Sequence, residues 1–278
     1  MKTILAATDF SAAAHNACVY AASLAKVFDA RLVVYHAYQE MFTPALETTV
    51  FTATPEARKI SEERLSREAA SLDLFGQLSV DTVMEDADPA FGIQEAAVNC
   101  RADVIIVGMK ALGKGMRRIL GSTVTSLIAK VEVPIIVVPE DYQSGRLKTI
   151  AFATDTDADL LTDVHVLRVL RELGERFSCK LYLVHVAKDE MQEAFEVLNP
   201  PTRISKIVSS LEPVFQPITG KKVTRALNDF VDEHQIDVLA LLPHKHSLLG
   251  RWFMKSTTVK MVFDAKIPLL ILPTAEEK

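Results

Sequence analysis

Val104 to Pro139 read VIIVGMKALGKGMRRILGSTVTSLIAKVEVPIIVVP, and the order of the parts decides the fold. Val104 to Val107 and Ile135 to Val138 are short, unbroken and rich in β-branched residues, the pattern of strands buried on both faces. Between them a glycine-bearing basic loop leads into Gly121-Ser122-Thr123, which opens a helix of apolar period. The first backbone N–H groups of such a helix have no internal partner and can donate to an anion, so the loop suits phosphate.

Toward the N-terminus the same alternation continues. Thr3 to Ala7 reads as a buried strand, and Thr8-Asp9-Phe10-Ser11 supplies turn and N-cap chemistry for a helix from about Ala12 to Val27. A strand at Leu32 to Ala37 is followed by a polar, Pro-containing passage from Tyr38 to Pro55, too long for an ordinary connection and so a lid or a local excursion. A charged helix then spans about Glu56 to Ser71, and a third strand Leu78 to Met84. Asp88 and Pro89 form an N-cap and first helical residue, starting a helix with Ile93, Ala96, Ala97 and Cys100 inward. Strands alternating with helices imply a parallel sheet with right-handed crossovers.

Asp141 to Lys148, a polar DYQSGRLK stretch, reads as a linker that offers little to a core. Past it the pattern begins again. Ile4-Leu5-Ala6-Ala7-Thr8-Asp9 returns as Ile150-Ala151-Phe152-Ala153-Thr154-Asp155, and Leu32-Val33-Val34-Tyr35-His36 as Leu181-Tyr182-Leu183-Val184-His185. Ala102-Asp103-Val104 returns as Ile236-Asp237-Val238, and the VPIIVVP of Val133 to Pro139 as Ile267 to Pro273. The offset is 146 residues between Asp9 and Asp155 but 134 between Pro134 and Pro268, so the second copy is about twelve residues shorter. The loss belongs after its second strand.

Composition agrees with two domains: 278 residues, 49% hydrophobic and 24% charged, without a run of ~18 apolar residues that would cross a membrane. The start, MKTILAATDFS, lacks the apolar core of a signal peptide, which implies a cytoplasmic location. A net charge of −5 argues against nucleic-acid binding. Lys110, Lys114, Arg117 and Arg118 form a local cationic cluster, read either as a solvated loop or as phosphate-facing; its place inside the glycine loop favours phosphate. Cys18, Cys100 and Cys179 are far apart and sit in apolar surroundings, as buried structural thiols do.

Gly108 and Gly121-Ser122 are spaced as in the Gly-x2-Gly-x9-Gly-Ser/Thr phosphate loop of ATP-binding universal stress proteins, with Ala111 where that family has its middle glycine. With the ATDFS start, His36 and the VPIIVVP ending, the whole chain resembles a tandem member of the universal stress protein family. The resemblance implies an α/β fold of two tandem doubly wound five-stranded parallel-sheet domains, strand order 3-2-1-4-5, of the adenine nucleotide alpha hydrolase-like kind. Residues 1–142 would carry the phosphate loop and residues 148–278 a degenerate second copy. Ligands of such sheets bind where the strand order reverses, between strands one and four. By resemblance, Thr8 and Asp9 contact the base and ribose of ATP or another adenine nucleotide, with or without Mg, and Ala37 lies against adenine. Gly108 lets the ribose approach, Ala111 continues the loop, and Gly121, Ser122 and Thr123 take the phosphates. Asp9 also fits a plain N-cap, since an Asp ahead of a helix needs no ligand to explain it.

Other candidates weigh less. His36 and His185 end matching strands, as satisfied structural histidines do. His244 and His246 flank Lys245 without a third ligand at zinc spacing. Asp155, Asp157 and Asp159 begin like a calcium loop, but Leu160 and Val166 stand where Gly and Glu are required. In the second loop Leu242, Lys245 and Lys255 replace Gly108, Ala111 and Gly121, and only Ser256 is retained. That loop should be closed to ATP, although His244, Lys245, Arg251 and Lys255 could still attract a small anion weakly.

No nucleophile and base are placed by spacing, so no catalysis is expected. The reading is a stress-response regulator or sensor with one adenine nucleotide in its first domain. The alternatives are a nucleotide-free interaction scaffold and, behind it, a slow ATPase or phosphotransferase. Expected partners are the nucleotide and the chain's own second domain, through Ile135 to Val138 against Leu269 to Leu272, with a homodimer left open and neither nucleic acid nor membrane involved.

Overall fold

The computed structural model describes residues 1–38, 55–73, 76–110, 121–129, 132–143, 145–153, 164–187, 189–242 and 266–273. Outside these residues lie most of the passage after Tyr38, Ala111 with Lys114, Arg117 and Arg118, and the Asp155, Asp157 and Asp159 series. The second loop from His244 through Ser256 lies outside them too.

The first half runs β1 (Thr3–Ala7), α1 (Ala12–Phe28), β2 (Arg31–Tyr38), α2 (Pro55–Leu72), β3 (Val80–Asp86), α3 (Pro89–Asn99), β4 (Val104–Met109), α4 (Ser122–Ala129) and β5 (Ile135–Pro139). The second runs β6 (Thr149–Ala153), α5 (Arg168–Phe177), β7 (Lys180–Ala187), α6 (Glu190–Leu198), α7 (Thr202–Ile207), a 3₁₀ turn at Ser209–Leu211, β8 (Val214–Thr219), α8 (Val223–Glu233), β9 (Val238–Leu241) and β10 (Leu269–Ile271).

The ten strands among the described residues form one sheet, ordered β3-β2-β1-β4-β5-β10-β9-β6-β7-β8, so each half has the order 3-2-1-4-5. Neighbours within a half are parallel. Where the halves meet, β5 and β10 are antiparallel, with Leu269 opposite Val137, Leu270 opposite Ile136 and Ile271 opposite Ile135. Each would otherwise leave a row of backbone donors and acceptors unpaired at a sheet edge.

Alternation along the strands builds two cores. Ile4, Ala6, Leu32 and Val34 face α1 and α2 on one side, while Leu5, Ala7, Ile105 and Val107 face α3 and α4 on the other. Because β-strand side chains alternate and both faces are covered, the strands read as unbroken apolar runs. Among the described residues no helix is long and apolar enough to cross a membrane.

The two halves also touch below the sheet. Arg168 of α5 donates to the Asp103 carboxylate at 2.7 Å, and Phe28 meets Phe177 edge to face at 6.2 Å between ring centroids. Asp103 already accepts from the backbone N–H of Lys2 and Thr3, and Asp237 repeats that arrangement with Lys148 and Thr149. Burial would raise the Asp103 carboxyl, but these backbone donors and Arg168 outweigh it and hold it below its ordinary value.

Three expectations change. First, β3 begins at Val80 rather than Leu78, because Asp73 accepts from the N–H groups of Gln77 and Leu78 and holds them in a turn. Second, the linker contributes to the core. Leu147 is buried, Tyr142 packs edge-on against Tyr20, and Asn16 ties the strand end down by donating to the carbonyls of Pro139 and Tyr142. Third, Cys100 is only half-buried, whereas Cys18 and Cys179 are buried as expected. The shortening of the second copy sits after β7. Equivalent residues are 149 apart at Val33 and Tyr182 but 133 apart at Asp81 and Val214, their partners in register.

Candidate functional site

The strand order reverses between β1 and β4, and in such sheets the ligand crevice lies at the C-terminal ends of those two neighbouring strands. At the end of β1, Thr8 is buried and fully engaged. Its N–H donates to the Tyr35 carbonyl at 2.8 Å, its hydroxyl oxygen accepts from the Phe10 N–H at 3.0 Å, and its carbonyl accepts from Nδ1 of His36 at 2.8 Å. Thr8 therefore locks the ends of β1 and β2 together. Ala37 follows on β2, half-buried opposite Glu85 of β3.

Asp9 is not the helix cap. Ser11 is: its hydroxyl oxygen accepts from the Ala14 N–H at 3.3 Å. Asp9 uses Oδ1 to accept from the Ser11 N–H at 2.9 Å, one turn ahead of the helix, and its Oδ2 lies 3.5 Å from Nζ of Lys110 at the end of β4. Both side chains of that pair are mostly exposed, so it contributes little stability. Burial pushes the Asp9 carboxyl up, but the hydroxyl and N–H of Ser11 and the charge of Lys110 prevail, leaving it below its ordinary value. Asp9 is thus an anchored carboxylate at the open end of the crevice.

The two loop glycines have different reasons to be glycine. A Cβ on Gly108 would lie 2.4 Å from the Ala13 carbonyl oxygen and 2.8 Å from the Ala14 nitrogen, so what approaches closely there is the first turn of α1. Gly108 brings helix and strand together, a reason for glycine that stands beside the expected role of admitting a ribose. Its counterpart Leu242 is buried in the core instead. A Cβ on Gly121 would meet nothing within 4 Å. The fold does not require a glycine at 121.

Gly121 accepts the first helical bond of α4, from the Thr125 N–H at 2.9 Å, and has no side-chain oxygen with which to cap the turn. Ser122 is exposed and Thr123 half-buried, while Val124, Leu127 and Ile128 anchor the helix in the core. A crossover helix runs antiparallel to its strands, so the N-terminus of α4 faces the same end of the sheet as Asp9 and Lys110. The structure brings Thr8, Asp9, Ala37, Gly108, Gly121, Ser122 and Thr123 to this end of the sheet; Ala111 lies outside the described residues.

Both strand-end histidines have partners. His36 bonds to Thr8, and its ring lies 4.3 Å from that of Phe10; His185 is buried, with Nε2 3.3 Å from Oε1 of Glu196. Burial raises the thiols of Cys18 and Cys179, the latter to about 11 with help from Asp237, so neither is an activated nucleophile. Among the described residues no group of three or more His, Cys, Asp or Glu is gathered as a metal site would be. The cap falls within the Thr8 to Ser11 stretch that the sequence marks, but sequence reasoning did not foresee two participants: Lys110 as the partner of Asp9, and Arg64, whose guanidinium carbon lies 4.4 Å above the Phe10 ring. Lys110 stood out as one of a cationic cluster, but a contact across 101 positions leaves no local signal.

Residues 1–139 and 146–273 each match the model of the universal stress protein family. A universal stress protein of Thermus aquaticus, from the QAH/OAS sulfhydrylase 3' region, is 32% identical over 141 residues, covering 49% of this chain and 98% of that protein. A universal stress protein of Mycobacterium tuberculosis is 24% identical over 204 residues, covering 66% of this chain and 68% of its own length. Among solved structures, a universal stress protein from Archaeoglobus fulgidus superposes with a TM-score of 0.72 at 14% identity, covering 97% of each chain, which speaks for the fold.

Proposed function

The chain belongs to the universal stress protein family in two tandem copies, and from that premise we propose that residues 1–142 hold ATP or a related adenine nucleotide while residues 148–278 serve as their structural partner. The observation that carries this reading is the anchored Asp9 carboxylate facing Lys110 across the β1/β4 crevice, at the sheet end toward which the N-terminus of α4 points. A carboxylate there accepts from ribose hydroxyls or a base amino group, and half-buried Ala37 gives a small apolar surface for the ring. The first N–H groups of α4 and the hydroxyls of Ser122 and Thr123 donate to phosphate, with no side chain at Gly121 in the way.

The residues present fit the nucleotide. Lys110 supplies a cation next to the expected phosphates, and Mg, if bound, would ride on phosphate oxygens, since the described residues gather no metal site of their own. Among the described residues no nucleophile is paired with a base, and we read the bound nucleotide as a signal rather than as a substrate. The protein would be a cytoplasmic stress-response regulator or sensor that reads an adenine nucleotide.

Mass spectrometry of small molecules released from the purified, denatured chain tests this. Adenine nucleotide in about equimolar amount supports it. A protein that carries none and ignores added ATP would instead be an interaction scaffold, and phosphate release abolished by Gly121→Val would make it a slow ATPase.

A further inference from the structure

We propose that Phe10 is a positioning residue of this site: clamped by His36 and Arg64 in a left-handed backbone conformation, it aims the Asp9 carboxylate at the ligand. The inference rests on the nucleotide reading and names a residue that reading does not need.

Phe10 has a φ of 60°. A bulky aromatic residue in that region is an outlier, and such a conformation persists only where the surroundings over-determine it. Here they do. The Phe10 N–H is tied to the Thr8 hydroxyl at 3.0 Å, and the ring is 4.3 Å from the His36 ring and 4.4 Å from the Arg64 guanidinium carbon. His36 is itself fixed by its bond to the Thr8 carbonyl. Groups from β1, β2 and α2 therefore converge on one turn.

The reversal at Phe10 folds Ser11 back onto Asp9. The Ser11 N–H and hydroxyl both serve the Asp9 carboxylate, and Oδ2 is left pointing across the crevice to Lys110. An extended residue at position 10 would carry Ser11 away and free the carboxylate to rotate. Glycine would accept the same φ without strain, yet would not hold the turn in one state. The ring also packs, half-buried, against the core between the sheet and α1 and α2, and what the clamp adds to that burial is the direction of Asp9.

Phe10→Gly and Phe10→Trp in the full chain test this. The glycine variant gives up the ring's packing against the core, so its melting temperature should fall, and it should lose about tenfold in ATP affinity by calorimetry, a change of one decade in Kd. The tryptophan variant, which restores the stack, should stay within about twofold of wild type. In the ligand-free protein, NMR titration should show the Asp9 carboxyl raised in Phe10→Gly and unchanged in Phe10→Trp. Wild-type affinity with wild-type Asp9 titration in Phe10→Gly overturns the proposal. If Phe10→Gly does not fold, Arg64→Ala decides by the same two readouts with the same signs. If wild-type protein binds no nucleotide, the functional reading falls, and the Asp9 titration still decides whether Phe10 positions it.

Discussion

Gly108→Ala and Gly121→Val should separate the fold from the site. At Gly108 the new Cβ would lie 2.4 Å from the Ala13 carbonyl oxygen and 2.5 Å from its carbon, both backbone atoms of the first turn of α1. Relief requires α1 to move by about 1 Å, and α1 carries Ala13, Ala14, Ala17, Cys18 and Ala21 into the core, so overpacking should cost roughly 3 kcal/mol. For a domain of this size that lowers the melting temperature by about 6–12 °C. At Gly121 the Cβ enters open space, and the loss is limited to a poorer N-cap, roughly 1 kcal/mol.

Binding should respond oppositely. A β-branched side chain at 121 blocks phosphate from two backbone donors, each worth about 1.5–3 kcal/mol when the acceptor is charged, so affinity should fall by at least about a hundredfold. Differential scanning fluorimetry with and without ATP reads both effects. A stable Gly108→Ala protein, or a Gly121→Val protein that ATP still stabilises like wild type, would refute the assignment of the two glycines.

Two further predictions concern the junction between the halves. The Asp103→Ala and Arg168→Ala changes should couple by about 1 kcal/mol in a urea double-mutant cycle, a value discounted because Arg168 is 40% exposed; zero coupling would contradict a contribution from that bond. Asp103 and Asp9 both have folded-state carboxyls held below the ordinary 3.8. Their stabilisation is complete above the unfolded value and is lost as pH falls through the folded one, so wild type should weaken below about pH 4 and Asp103→Ala less steeply. Equal acid limbs for the two proteins would count against it.

Much of the fold was legible in the sequence because strands buried on both faces announce themselves as apolar runs, and the runs recur. β1, β4, β5 and β6 needed no tertiary knowledge. The edge of β3 was hidden because the Asp73 side chain competes for the amides of Gln77 and Leu78. The linker misled because a polar octapeptide can still bury one leucine, Leu147.

The site was legible in its residue types but not in their roles. Asp9 and Ser11 are both good cap formers, and only coordinates distinguish the cap from the carboxylate beside it. A glycine at the end of a strand looks the same whether helix or ligand comes close, and at Gly108 it is the helix. No local preference announces a phenylalanine with positive φ, since three separate elements hold it.

Isothermal titration of the full chain with ATP tests the central claim most directly. The account predicts one site per chain, because Gly121 and Ser122 have counterparts only in part, as Lys255 and Ser256. It also predicts that Gly121→Val abolishes that site. Two equivalent sites per chain, or one site indifferent to Gly121→Val, would contradict it.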